Sequence, residues 1–385
     1  MFYDKQSKEM QDNYRFMLKT VGALSRLFSE SSEPYLYYRC HENIFCKYFE
    51  ALNLSREDCS ADAQVHTLGI GLKTWVGSDN QKIAEFNKLK DKYMNLPQKE
   101  MILKIAEYRN ERIRITKNLH GMKELIYHIV KRIPYSMQIY EYAFEMIDIS
   151  NIKIDTNKSS EKNIYFSDGK HEYHFVVSKS TLYMIFSNMV LLDSFDVDII
   201  KDPFVYLQNL TSENKKMSED VKKIILCNVD SAEQLCLRLY STRANGEKYV
   251  PLRSGLNQWN AGGRTRNLNE VYIPYPAFDR NRSDGFFPHR NESFSLTLPN
   301  GKVLSAKVCQ DDGKAIMSNP NSELGKWLLR EVFELPEGEI VTYEMLERYN
   351  IDSVLFTKVD KNIYKIDFTE LGTYEKMLGI EDTDE

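Results

Sequence analysis

The chain lacks any apolar run of the roughly 18 residues that a bilayer-crossing helix needs. Its opening residues, MFYDKQSKEMQDNY, are charged and carry no apolar signal core. Neither a membrane span nor an export signal is expected, and a cytoplasmic location is the default. Cysteine is scarce, with Cys40, Cys46, Cys59, Cys227, Cys236 and Cys309 scattered over 385 residues. None forms a CxxC pair or neighbours two histidines at zinc spacing. That excludes a disulfide frame and a zinc site and leaves reduced thiols. Internal repeats and low-complexity tracts are absent. An excess of positive charge is missing too, the net value being −5. That value is a poor guide to partners, because the acids are concentrated. Residues 331–385 hold fifteen acids against five bases, whereas 251–330 hold eleven bases against seven acids. A local basic patch suffices to attract phosphate.

What is present is a globular composition, 42% hydrophobic and 28% charged, long enough for two domains. Apolar spacing predicts helices over Gln11–Glu30, Tyr37–Leu52 and Pro97–His128. Val65–Val76 alternates as a strand, with Leu68, Ile70, Leu72 and Thr74 on one face and Gly69, Gly71 and Lys73 on the other. GSDN then reads as a turn and helix cap, followed by a helix over Gln81–Met94. Tyr165–Val177 reads as a hairpin turning at Asp168-Gly169, and Thr181–Phe186 as a short helix. The polar stretch TSENKKMSEDVKK reads as a linker. Beyond it, short strands and turns predict an all-β barrel interrupted by one helix, Glu323–Phe333. The expected division is residues 1–210, a linker 211–235, and 236–385.

The most informative segment is RSGLNQWNAGGRTRNLNEVYIPYP, Arg253 to Pro276. Glycine lets a backbone approach a partner closely, and arginine and asparagine carry forked groups that match guanine and adenine edges. With DGFFP, CQDDGKAIMSNPNSELGKWL and DSVLFTKVDKNIYKIDF it resembles the C-terminal half of the NgoFVII family of restriction endonucleases. That half is a DNA-recognition pseudobarrel of the plant B-three type, the fold also used by the BfiI and EcoRII recognition or effector domains. The resemblance implies double-stranded DNA as partner, gripped between two arms, Gly255–Asn269 and Asp311–Ser322. Candidate base readers are Arg253, Asn257, Gln258, Arg264, Arg266 and Asn269 in and beside the first arm, and Lys314, Asn319 and Asn321 in the second. Arg280, Arg282, Arg290 and Lys302 are expected at phosphates. Tyr272, Ile273, Phe286 and Phe287 are expected in the barrel core.

The other half departs from that family. Its phospholipase-D-type nuclease needs HxK, and none of the seven histidines here is followed by lysine at that spacing. CSADAQVHTLGIGLKTW instead resembles a PD-(D/E)XK nuclease, so the fold class expected is α+β: an N-terminal α/β restriction-endonuclease-like (PD-(D/E)XK) domain and a C-terminal all-β pseudobarrel. Asp62 and Lys73 fill two of the three catalytic places, but Gly71 stands where an acid is expected. Glu85, twelve residues past Lys73, is a substitute acid if its helix returns the carboxylate to the space Gly71 leaves. Asp62 and Glu85 are then the Mg²⁺ ligands, Lys73 orients the attacking water, and Glu42 assists. Asp58 is an equal alternative to Asp62. Arg109–Arg112 reads as a salt-bridged helix face, and His120 and His128 as structural. The expected whole is a type II restriction endonuclease, working with a cognate DNA methyltransferase and as a homodimer on DNA; the alternative is a DNA-binding protein without catalysis, or one that reads a modified base.

Overall fold

The structure, a computed structural model, describes residues 1–54, 59–213, 233–290 and 292–379. Asp58 and most of the expected linker lie outside them. The chain divides into two compact units. One is Met1–Asn110 with Met122–Asp230, the other Glu111–Gly121 with Ser231–Glu385.

In the first unit, α1 (Lys8–Ala23) starts at Ser7, whose hydroxyl accepts from the Met10 N–H. It and α2 (Tyr38–Tyr48) supply Tyr14, Leu18, Ile44 and Phe45 to a common core. Strands β1 (Leu52–Asn53), β2 (Ala63–Val65), β3 (Leu68–Val76) and β4 (Asn80–Glu85) follow, then α3 (Gln98–His120), β5 (Glu124–Ile133) and β6 (Ser136–Ala143). Next come β7 (Lys153–Ile154), β8 (Asn163–Ser167), β9 (Glu172–Val176), β10 (Thr181–Ile185), β11 (Val190–Asp196) and α4 (Pro203–Glu213). One sheet has the order β1-β2-β3-β5-β6-β11, with β3 and β5 parallel; the second has the order β4-β10-β9-β8-β7. Ile70 and Leu72 of β3 enter the α1–α2 core, as their alternation predicts. Gly69 and Gly71 are on the opposite face because side chains from β5 occupy it. A Cβ on Gly69 would lie 2.3 Å from Leu125, and one on Gly71 2.8 Å from Tyr127.

Three expectations fail here. Residues 80–85 form a strand and not a helix, because they pair along β10. Only a 3₁₀ segment, Asn87–Lys92, follows them. Thr181–Ile185 is likewise a strand, held between β4 and β9. The long helix stops at His120, before Gly121 at φ 65°, and residues to His128 continue as β5. The 165–177 hairpin is present, with Gly169 at φ 85°. Asp168 there accepts from the backbone N–H groups of Asp148, Lys170 and His171.

In the second unit, β12 (Gln234–Arg238), β13 (Ser241–Thr242), β14 (Lys248–Tyr249), β15 (Ile273–Pro274) and α5 (Ala277–Arg282) precede β16 (Ser293–Thr297), β17 (Val303–Cys309) and β18 (Ala315–Ser318). A helical turn, α6 (Glu323–Gly325), continues as a π-helix to Val332. It is followed by α7 (Tyr343–Tyr349), β19 (Ser353–Asp360), β20 (Ile363–Thr369) and α8 (Thr373–Met377). The seven-stranded sheet has the order β12-β19-β20-β16-β17-β18-β15, and its end strands approach each other, so it nearly closes. Ile273, Phe286 and Phe287 lie in its core. Tyr272 does not; it packs on the satellite cluster of Cys309, Ala315 and Met317. α5, α7 and α8 were not foreseen.

A buried polar chain crosses the first core. The Tyr14 hydroxyl lies 2.9 Å from His41 Nε2 and 3.0 Å from His128 Nε2. His128 Nδ1 is 3.5 Å from Glu141, which also accepts from the Phe2 and Tyr3 N–H groups. Burial holds the His41 pKa well below its ordinary value. A histidine depressed in the folded state takes up its proton only on unfolding. Stability is therefore expected to fall as pH drops below about 6.5, by up to about 1.4 kcal/mol per pH unit. Thermal melts between pH 7 and 5 check this, and His41→Asn is expected to flatten the profile.

Candidate functional site

In the first unit Asp62 immediately precedes β2, and Lys73 lies on β3, which pairs with β2. The Asp62 N–H donates to Ile70 O at 2.9 Å, and its Oδ2 accepts from the Leu72 N–H at 2.7 Å. The β-hairpin thus holds the carboxylate at a fixed place. Burial raises the Asp62 pKa, opposed by the charge of Lys73, the Leu72 N–H and the charge of Arg39. A half-buried carboxylate with a lysine and an arginine acting on it is the kind of perturbed group that marks functional sites. Arg39, Glu42 and Cys46 share a stripe of α2. Glu42 is buried and paired with Arg39 at 3.1 Å. Burial, with the charges of Glu42 and Asp62, pushes the Cys46 thiol up to about 12. Asp62, Lys73, Glu42 and Arg39 therefore form one charge-coupled cluster.

Glu85 does not join it. It ends β4 in the other sheet, half exposed and 2.5 Å from Lys82 Nζ. The space beside Gly71 is also filled, by the rings of Tyr127 and Phe144, so no carboxylate returns there. Among the described residues no group of three or more His, Cys, Asp and Glu side chains converges on a metal position. Asp62 and Glu42 give two carboxylates, which is the usual protein contribution where phosphate and water complete a Mg²⁺ shell. Arg109 and Asn110 are not a solvent-facing salt-bridge surface. Arg109 is buried and donates to Glu145 O and the Tyr127 hydroxyl, while Asn110 brackets Ile147.

In the second unit the first arm is a 3₁₀ segment, Gly255–Asn260, followed by an irregular loop. Three of its expected base readers are committed to the fold. Asn257 is fully buried; its amide donates to Pro251 O and Val341 O and accepts from the Val341 N–H. Arg266 is mostly buried, donating to Ala261 O at 2.6 Å and Gly262 O at 2.8 Å, with the buried Glu270 3.5 Å away. Asn269 accepts from Arg330, which also donates to Leu268 O, Leu335 O and Pro336 O. Arg330 is a clasp for the arm that the sequence alone did not reveal. Arg264 is half exposed but tied to Glu270. Arg253 is exposed, and Gln258 is half-buried.

The second arm is interrupted. Ala315–Ser318 is buried as β18, leaving two loops, 310–314 and 319–322. Lys314, Asn319 and Asn321 are exposed on them. Of the expected phosphate contacts, Arg282 is bonded to the buried Asp279 and to Cys236 O, and Lys302 sits between Glu323 and Glu331. Arg280 donates to Tyr275 O, and Arg290 is 3.8 Å from Asp311.

A nearly closed seven-stranded sheet bearing two loop regions tipped with exposed cations and amides is an arrangement suited to holding a duplex. Residues 232–360 match the family model of the NgoFVII C-terminal B3-like DNA-binding domain. The match supports double-stranded DNA as the partner of this unit and suggests sequence-specific binding. It covers about a third of the chain and does not reach the first unit. No curated protein matches the chain.

Proposed function

We propose that the protein is a sequence-specific, metal-dependent endonuclease of double-stranded DNA, a type II restriction enzyme. The second unit selects the site and the first, of PD-(D/E)XK type, cuts. The observation that carries the catalytic half is the coupling of half-buried Asp62 to Lys73 across a β-hairpin, beside the Glu42–Arg39 pair. The strand order supports the same reading, with β2 and β3 antiparallel, β5 parallel to β3, and α3 between them in sequence.

A divalent cation held by Asp62 and Glu42 would polarise the scissile phosphate and acidify a water. Lys73 orients the attacking water and offsets charge on the pentacovalent phosphorus. The charge of Lys73 in turn acts on the Asp62 carboxylate. Arg39 holds Glu42 until substrate arrives. Cleaving both strands calls for two such centres, so a homodimer on DNA and a protecting methyltransferase in the same cell belong to this reading. The test is incubation with phage DNA in Mg²⁺. Discrete bands that disappear with EDTA are expected; intact DNA at high protein concentration indicates a binder without catalysis, the reading that the missing acid at Gly71 favours.

Base readers in this proposal are Arg253, Gln258, Lys314, Asn319 and Asn321, with Arg264 after it exchanges Glu270 for a base edge. Arg253→Ala and Lys314→Ala report on their kind of contact. Each phosphate contact removed is expected to reduce the slope of log K against log salt by about 1. A base contact removed costs about 1–3 kcal/mol at one position of the site. Filter binding over a salt series separates the two.

A further inference from the structure

One recess in the second unit is assigned no role by the proposed function. It has a volume of about 480 Å³ and opens between the stretch 275–292 and the β19–β20 turn. That lies within the roughly 300–1,000 Å³ of small-ligand sites. The core residues Tyr275, Phe287 and Tyr364 lie beneath it, nearly or fully covered, and Arg280, Asp284 and Asn362 stand among the polar groups around it. It is built into the root of the second arm. Tyr275 N–H donates to Lys314 O at 2.9 Å, and the lining residue Val308 packs beneath Gly313, where a Cβ would come within 3.1 Å.

We infer that this recess receives one nucleobase swung out of the bound duplex. The inference rests on the DNA-binding reading of this unit. The lining sets Arg280, Lys358 and Lys361 beside Asp284, Glu292 and Asn362, and so offers both donors and acceptors to the edge of a heterocycle. The position beside the arm puts the recess within reach of the groove that Lys314 is proposed to enter. No bond forms or breaks; the base exchanges stacking in the duplex for contacts in the recess.

The test uses the full chain with Ca²⁺ in place of Mg²⁺, and mixed-sequence duplexes that are either fully paired or carry a single unpaired A, C, G or T. An unpaired base costs least to extrude. At least one bulged duplex is expected to bind about tenfold more tightly than its paired counterpart. Asn362→Trp, which fills the mouth, and Asp284→Ala, which removes an acceptor, are expected to abolish that preference and leave paired-duplex affinity unchanged. Equal binding of paired and bulged DNA by the wild type overturns the inference. So does an equal loss on both substrates in the variants, which would mark the recess as ordinary contact surface. Failure to bind any duplex overturns the DNA-binding reading itself, a distinguishable result.

Discussion

Lys73→Ala is expected to lower DNA cleavage by about 10²–10³-fold, the usual cost of removing one transition-state charge stabiliser, with duplex affinity unchanged. The ammonium acts on phosphorus only as negative charge develops, so the loss belongs to turnover and not to binding. Asp62 gives a second readout of the same site. Burial raises its pKa, so in the folded state the ionised form is disfavoured relative to the unfolded chain. By linkage such a group lowers stability in full above its folded pKa, and the penalty shrinks to nothing as pH falls from there through the unfolded pKa. Asp62→Asn is therefore expected to abolish cleavage while holding or raising the melting temperature at pH 7. A residue kept only for structure shows the opposite. Plasmid nicking rates over pH 5–8, with melts of each variant, measure both. A Lys73→Ala protein that cuts at the wild-type rate removes the catalytic assignment.

The parts of this molecule legible in its sequence are those where local pattern and tertiary environment agree. β3 was readable because Ile70 and Leu72 alternate with Gly69 and Gly71, and both faces have a packing reason for it. The hairpin at Asp168-Gly169 was readable because the turn residues satisfy their own backbone. β4 was not, since NQKIAE has no strand signal of its own and becomes extended only along β10. The family resemblance of the arm and the blocks after it pointed to a DNA-binding domain, yet sequence could not separate polar groups aimed at a partner from those stitching the arm. Arg253 and Asn257 look alike in the sequence; one is exposed and the other has no exposed surface. Glu85 failed for a related reason. Its distance along the chain suited a returning helix, but the space it was to enter is occupied by aromatic rings contributed from residues more than fifty positions later.

Asn257→Ala is expected to unfold the second unit more readily instead of altering which bases it reads. Its side chain closes three hydrogen bonds at zero exposure, to Pro251 O, to Val341 O and from the Val341 N–H. Alanine leaves those backbone groups buried without a partner. At about 1–3 kcal/mol for each unsatisfied group, offset by relaxation around the smaller side chain, a loss of about 3 kcal/mol is reasonable. For a unit of this size that corresponds to a fall of roughly 6–12 °C. Tryptophan fluorescence in urea reports it, since Trp259 and Trp327 both lie in this unit. Asn257→Asp is the sharper variant. It keeps an acceptor for the Val341 N–H but loses both donations and buries a charge, so it is expected to be no more stable than alanine. Arg253→Ala supplies the contrast, weakening DNA binding at an unchanged urea midpoint. If Asn257→Ala kept its midpoint and lost only discrimination at one base pair, the side chain would have to leave its pocket to meet DNA, and the arm would be a moving part instead of a fixed jaw.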